Sequence, residues 1–220
     1  MNAQIELIEG TNRNVSLSQY FTPPDLAAKV VEWACEYRGG YRKANGEPMR
    51  VLEPSAGNGA LVRPLVAAGA HVEAVELDVR YMSDIAKALG HGKREHRMHV
   101  PCNFLELPAY TLHSGTHFDL CVMNPPYEDG KDVAFILHAL EFAPRVVGIF
   151  QAGIEYGVDR YDDLWSVVRP TRILKLKRRW FKSQDGKGGL TNYVVLELMR
   201  RSPLTAERAG IPDRPTLEWW

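Results

Sequence analysis

The sequence predicts an α/β fold, a mostly parallel sheet with helices on both faces. Three observations lead there. Strand-like apolar runs alternate with helix-like amphipathic stretches along most of the chain. A glycine-bearing turn joins one of those runs to the amphipathic stretch that follows it. The 220 residues suffice for one compact core with a small appendage, so a single domain over 1–220 is expected, its first 48 residues forming an N-terminal arm.

The elements follow in order. PPDLAAKVVEWACEY, from Pro23, has apolar residues at helical spacing and proline in the first turn, where the missing N–H costs nothing. RVLEP reads as a strand, SAGNG as a turn, and ALVRPLVAAG as a helix closed by Gly69. HVEAVEL, VRYMSDIAKALG and RMHVPCNFL continue as strand, helix and strand. HFDLCVMN, DVAFILHALEF, RVVGIFQ and YDDLWSVV repeat the alternation. RILKLKRRWF and NYVVLELM are two β-rich runs, and the Gly- and Lys-bearing SQDGKGGLT between them suits a hairpin. The tail RSPLTAERAGIPDRPTLEWW, interrupted by proline, is expected to be irregular.

Charge and composition remove several functional classes. Lys and Arg together number 27, as do Asp and Glu, so the whole molecule does not announce a nucleic-acid binder and any attraction must be local. Arg169, Arg172, Lys175, Lys177, Arg178, Arg179, Lys182 and Lys187 crowd into one late stretch, the candidate for phosphate contacts or a solvated basic face. Cys35, Cys102 and Cys121 form no CxxC pair, which suggests reduced core residues and no metal. No run reaches the roughly 18 apolar residues that span a bilayer, and the start lacks a leader pattern, so a cytoplasmic protein away from membranes is expected.

Two turns and one acid carry the chemistry. In EPSAGNG, residues 53–59, Gly57 and Gly59 let the backbone approach a nucleotide-like ligand where a strand gives way to a helix. Glu76, ending the next strand, is placed to accept from ribose hydroxyls, or else begins a helix as a surface acid. NPPY, residues 124–127, sets two prolines directly after an asparagine, which rigidifies the turn and exposes carbonyls. An exocyclic amine conjugated to a ring is a poor nucleophile. The Asn124 side-chain oxygen and the Pro125 carbonyl, accepting its two N–H bonds, would localise its lone pair. Pro126 completes the turn, and Tyr127 would offer a face to a planar base swung out of its stack.

These motifs, in this order, resemble the amino-directed class I S-adenosylmethionine (SAM) methyltransferases. The closest likeness is to the adenine-N6 DNA methyltransferases whose cofactor motifs precede the catalytic one. QYFTPP, VLEPSAGNG, VEAVELD, CNFLEL and NPPY carry the likeness, over about residues 19 to 200. It implies a Rossmann-like class I methyltransferase fold, a seven-stranded sheet with a C-terminal β-hairpin. It implies SAM as cofactor, contacted by Tyr20, Phe21, Thr22, Glu53, Pro54, Ser55, Ala56, Gly57, Gly59, Glu76, Leu77, Asn103, Phe104 and Asn124. Tyr20, Phe21 and Thr22 would cover its methionine end, Glu53 and Gly57 its middle, Glu76 its ribose, Asn103 and Phe104 its adenine. Asn103 departs from the Asp common in the family, though an amide can still accept from the adenine amine.

The same likeness makes Asn124, Pro125, Pro126 and Tyr127 catalytic, and Tyr127, Arg178, Arg179, Phe181 and Lys182 the residues that would hold the substrate; Phe181 reads equally as hairpin core. It implies methylation of adenine N6 in DNA, as in restriction-modification. Little chain follows residue 200 to serve as the separate target-recognition domain usual in that family. Either the basic hairpin from Arg169 to Lys187 contacts nucleic acid with little sequence discrimination, or a separate specificity subunit supplies recognition, or the substrate is not DNA at all; the expected partners besides nucleic acid are a homo-oligomer or that specificity subunit. The competing readings are N-methylation of an RNA base or of a protein glutamine amide, and a non-catalytic SAM-binding subunit.

Overall fold

The computed structural model describes residues 21–36, 39–90, 95–108, 118–156, 160–176 and 192–201, and the backbone of 216–219. Helix α1 (Pro24–Cys35) precedes strand β1 (Arg50–Glu53). Then come α2 (Val62–Ala67), β2 (His71–Val75), α3 (Met82–Leu89) and β3 (Arg97–His99). Strand β4 (Leu120–Met123), helix α4 (Lys131–Phe142) and strand β5 (Val146–Gln151) follow. A π-helical turn (Tyr161–Trp165) leads to β6 (Val168–Lys175), β7 (Tyr193–Arg200) and β8 (Thr216–Trp219).

All eight strands join one sheet in the order β3-β2-β1-β4-β5-β7-β6-β8. β7 alone runs against its neighbours, pairing antiparallel with both β5 and β6. The seven expected strands are therefore present, with the antiparallel β6–β7 pair at the C-terminal side, and an eighth strand extends the edge. That strand corrects the expectation of an irregular tail: past its last proline, Thr216–Trp219 pairs in parallel with Arg172–Lys175. Other boundaries also moved. The run expected as one strand over RMHVPCNFL pairs only at 97–99 and then turns through a 3₁₀ segment, Phe104–Glu106. YDDLWSVV divides, its first five residues forming the π-turn and its last valine opening β6, because Val168 finds a partner in Arg200 across the ladder.

Alternation along the strands sends side chains to two cores. Val51, Leu120, Val122, Val147 and Ile149 pack with α1, α2 and α3. Leu52, Cys121, Met123, Val146 and Phe150 pack with α4. Helix α1 is nailed down at its C-terminus, where the last carbonyls have lone pairs left for other donors. Arg172 Nη1 donates to the Trp33 carbonyl at 2.7 Å, and Arg145 Nη2 to that of Ala34 at 3.0 Å. The Arg172 guanidinium also lies 4.0 Å from the Trp33 ring centre, and Glu197 on β7 sits 3.5 Å from both arginines. Two buried cations are thus paired, as they must be.

Chain order reverses at β1: β2 and β3 build outward on one side, β4 and β5 on the other. The crevice at the carboxyl ends of β1 and β4 is the place where such a sheet binds ligands. Gly148, within β5, shows how tightly the second core is filled. A Cβ there would lie 2.3 Å from the ring of Phe150, which is itself fully buried. We expect Gly148→Ala to destabilise the protein by about 1–3 kcal/mol, the usual cost of overpacking, read as a lowered urea midpoint with unchanged slope.

Candidate functional site

Glu53 ends β1 and Asn124 follows β4, so neighbouring parallel strands deliver the two to one place. Between them, the Ser55 hydroxyl is 3.1 Å from Glu53 Oε1 and 3.2 Å from the Asn124 carbonyl, and its single proton serves one or the other. The turn after β1 needs its glycines. Gly57 has φ +50°, and Gly59 has φ +76° with room for no Cβ, since one would sit 2.9 Å from Ala88 on α3.

Glu76 holds that turn from the side. Its Oε2 accepts the Gly57 N–H at 2.6 Å and its Oε1 accepts the Asp78 N–H at 2.8 Å. The carboxylate is 7% exposed, so the reading of Glu76 as a surface acid falls away. Burial raises its pKa, against the pull of those backbone donors.

Glu53 is more deeply placed. Its Oε1 takes the Ser55 N–H at 3.1 Å, while its Oε2 is buried without a hydrogen-bond partner. Burial pushes its pKa well up, the Ser55 backbone donor opposes this, and the charge of Glu76 adds to the rise. Glu53 lines a small chamber of about 30 Å³ shared with Thr22, Asn58 and Asn124. That is room for about one water-sized group. A cationic amine seated there would meet both the orphaned oxygen and the neighbouring negative charge.

The chamber shares Phe21, Ser55, Gly57 and Asn124 with a cavity of about 280 Å³. Its wall brings together many of the residues expected from sequence: Phe21, Pro54, Ser55, Gly57, Glu76, Leu77, Asn103, Phe104, Asn124, Pro125 and Pro126. Thr22, Glu53 and Ala56 line the inner chamber. Gly59 lines neither and instead shapes the turn against α3. Leu77 is 54% exposed at the rim and Leu105 36%, which leaves two aliphatic surfaces for a flat ring to rest between.

Four lining residues escape the sequence reading: Cys102, Leu105, Lys131 and Phe135. The first corrects the expectation of three core cysteines. Cys35 and Cys121 are buried, but Cys102 is half-buried and faces the cavity, its thiol pKa raised by burial and by Glu106. Lys131 could have been suspected, because it opens the helix directly after NPPYEDG.

Two site residues are engaged differently from expectation. Asn103 caps the 3₁₀ turn, its Oδ1 accepting the Leu105 N–H at 3.2 Å and its Nδ2 donating to Glu106 at 2.8 Å. Phe104 is a wall, its ring packed with Phe135, His138 and Phe142. In the NPPY turn, Asn124 Nδ2 donates to Thr22 Oγ1 at 3.0 Å. The Tyr127 hydroxyl lies against Asn124 Oδ1 and is 3.2 Å from the Ile149 carbonyl, while the ring packs 5.7 Å from that of Tyr193. The amide is therefore oriented from both ends, with its oxygen as the acceptor. Tyr20, Arg178, Arg179, Phe181 and Lys182 lie outside the described residues.

No family model matches this chain, and no curated protein does. Solved structures match closely in shape. A protein from Pyrococcus horikoshii assigned as an RNA methyltransferase superposes with a TM-score of 0.67 at 23% identity, over 90% of this chain and 95% of that one. A modification subunit assigned to a type I restriction enzyme of Vibrio vulnificus YJ016 gives 0.59 at 13% identity, over 87% of this chain and 47% of that subunit. A magnesium protoporphyrin IX methyltransferase from Synechocystis PCC 6803, solved with SAM bound, gives 0.56 at 16%, over 81% and 79%. The likeness establishes the fold: this is the Rossmann-like class I methyltransferase architecture. Among the described residues, no helix is long and apolar enough to cross a membrane.

A raised carboxyl pKa means that folding favours the neutral acid more than the unfolded chain does. Its contribution is complete below the ordinary carboxylate range and is lost as pH rises through the folded-state value. Glu53→Gln, neutral throughout, should therefore melt higher than the wild type at pH 8 without ligand, by roughly 2–4 °C for each ~1 kcal/mol relieved. The gap should narrow at pH 5, as followed by thermal circular dichroism.

Proposed function

We propose that this protein transfers the methyl group of SAM to the N6 amine of adenine in DNA. The observation that carries the reading is the Asn124 amide. It lines the cavity beside Glu76 and the glycine turn, and its Nδ2–H donates to Thr22, which fixes the other end of the amide as the acceptor. Bound in that cavity, SAM would supply an electrophilic methyl on a positively charged sulfur. Glu53 would meet its ammonium, Glu76 its ribose hydroxyls, and Leu77 and Leu105 the faces of its adenine.

The rest is the work of the chain's own groups. Asn124 Oδ1 has two lone pairs: the Tyr127 hydroxyl occupies one, and an amine N–H takes the other. The Pro125 carbonyl takes the second amine hydrogen. With both N–H bonds held, the nitrogen lone pair is drawn out of conjugation and directed at the methyl. No strong base is needed beforehand, because the amine proton becomes acidic only as the nitrogen gains positive charge. Tyr127, anchored through its hydroxyl and backed by Tyr193, would present its remaining ring surface to the extruded base.

A base in RNA is the second reading. It is favoured by the 95% coverage of the Pyrococcus chain, which leaves almost nothing in that chain without a counterpart here.

The test is transfer from radiolabelled SAM to unmethylated duplex DNA, single-stranded DNA, RNA and a protein extract in parallel, with nucleoside analysis of the product. N6-methyladenine in DNA is the expected result; label confined to RNA supports the second reading, and label confined to protein overturns both. In the same assay Asn124→Ala should lower kcat by about 10²-fold or more, as for loss of one positioned transition-state dipole. SAM affinity by calorimetry should stay within a few-fold. A collapse of SAM binding would place Asn124 in the cofactor site alone.

A further inference from the structure

Among the described residues, Tyr156 at 71% and Tyr161 at 62% are the most exposed large apolar side chains. Exposed tyrosines with little core to join are a common form of recognition surface, because the ring presents area at low conformational cost. The two occupy different settings. Tyr161 opens the π-turn beside Asp162 and Asp163, both exposed, a poor neighbour for a polyanion.

Tyr156 is held quite otherwise. The chain leaves β5 through a 3₁₀ turn, Ala152–Glu155, beyond the carboxyl edge of the sheet. Ala152 N–H donates to the Asn192 carbonyl at 2.9 Å, Ile154 is buried, and Glu155 is ion-paired with Lys175 at the end of β6. Tyr156 comes next, its N–H bonded to the Gly153 carbonyl at 3.1 Å. The turn is anchored by two backbone hydrogen bonds and one ion pair while the ring stands in solvent. Asn192 directly precedes Tyr193, whose ring packs on Tyr127. Tyr156 thus stands four residues, about 8 Å at the 3₁₀ rise of about 2 Å per residue, beyond Ala152, which bonds to the segment whose Tyr193 touches the NPPY tyrosine. Glu155, the acid in the turn that carries it, is paired with Lys175.

We propose that Tyr156 is a stacking platform for an unpaired base adjacent to the target nucleotide. This rests on the reading of the site as a nucleic-acid methyltransferase. A nucleobase is the occupant that suits an exposed aromatic ring on an anchored backbone at the carboxyl edge of the sheet, since every base has a face to stack. Stacking confers grip without sequence readout.

The test uses the full-length protein with fluorescein-labelled single-stranded DNA and RNA 12-mers of mixed sequence, read by anisotropy at 50 mM salt and at higher salt. Tyr156→Ala should weaken binding about tenfold, within the range for loss of one base–aromatic stack. Tyr156→Trp should bind within a few-fold of wild type. Tyr161→Ala, which removes the same side chain from the acidic turn, should bind as wild type does. The salt dependence of Tyr156→Ala should keep the wild-type slope, because no charge is lost. SAM affinity, measured on each variant by calorimetry, should not move. Wild-type affinity in Tyr156→Ala, or an equal loss in Tyr161→Ala, would overturn the platform while leaving the methyltransferase reading intact. A wild-type protein that binds SAM but neither oligonucleotide would overturn the nucleic-acid reading and the platform with it.

Discussion

The two hydrogen bonds that the Glu76 carboxylate accepts hold the site together. A glycine turn with positive φ has little of its own to define its shape, because glycine loses more freedom on ordering than any other residue. Glu76 supplies the definition by taking the Gly57 and Asp78 N–H groups, one on each oxygen. That stitches the end of β2 to the turn after β1. The Gly57 bond crosses between the two, and the Ala56 N–H, donating to the Val75 carbonyl at 2.9 Å, adds a second stitch. With the turn in place, Glu53 and Ser55 are set beside Asn124 and the cavity has a floor. The arrangement carries a cost: two carboxylates share a poorly solvated space, and burial raises the pKa of both.

A second constraint acts from the far end of the molecule. Arg145 and Arg172 cap the C-terminus of α1 and are themselves held by Glu197. The helix is thereby fixed against the sheet. Its N-terminus, preceded by Pro23, then brings Thr22 to Asn124 and Phe21 to within 5.4 Å of Tyr81. A charge cluster at the amino-end side of the strands thus helps to set the Asn124 amide at the carboxyl-end side. Rigid elements carry precision across the domain better than loops do, and here the carrier is twelve residues of helix.

Much of this was legible beforehand. Period-two alternation in buried strands, glycine at a strand-to-helix turn and proline at a helix start are local signals, and each located its element. The cavity residues drawn from EPSAGNG, VEL, CNF and NPP do meet on one wall. Where reading the chain fell short, the reason was contact between distant segments. Thr216–Trp219 is a strand because β6 had an unpaired edge, a fact invisible in a tail broken by prolines. Asn103 spends its amide on the next turn, since Leu105 and Glu106 are closer partners than any ligand. Cys102 faces the cavity because β3 ends at His99 and the chain turns inward toward Glu76, whose carbonyl accepts the Cys102 N–H at 2.8 Å.

The sequence by itself determined most of the order of elements and the residue types carried on the turns after β1, β2 and β4, because these follow from periodicity and turn chemistry within short stretches. Only the tertiary structure decided their states. Glu53 and Glu76 are buried neighbours although 23 positions separate them in the chain. Asn124 is oriented by Thr22, 102 residues away, and Tyr127 turns its hydroxyl inward toward the Ile149 carbonyl of the adjacent strand. Burial, hydrogen-bond direction and proton affinity are properties of surroundings, and surroundings are assembled only when distant parts of the chain pack together.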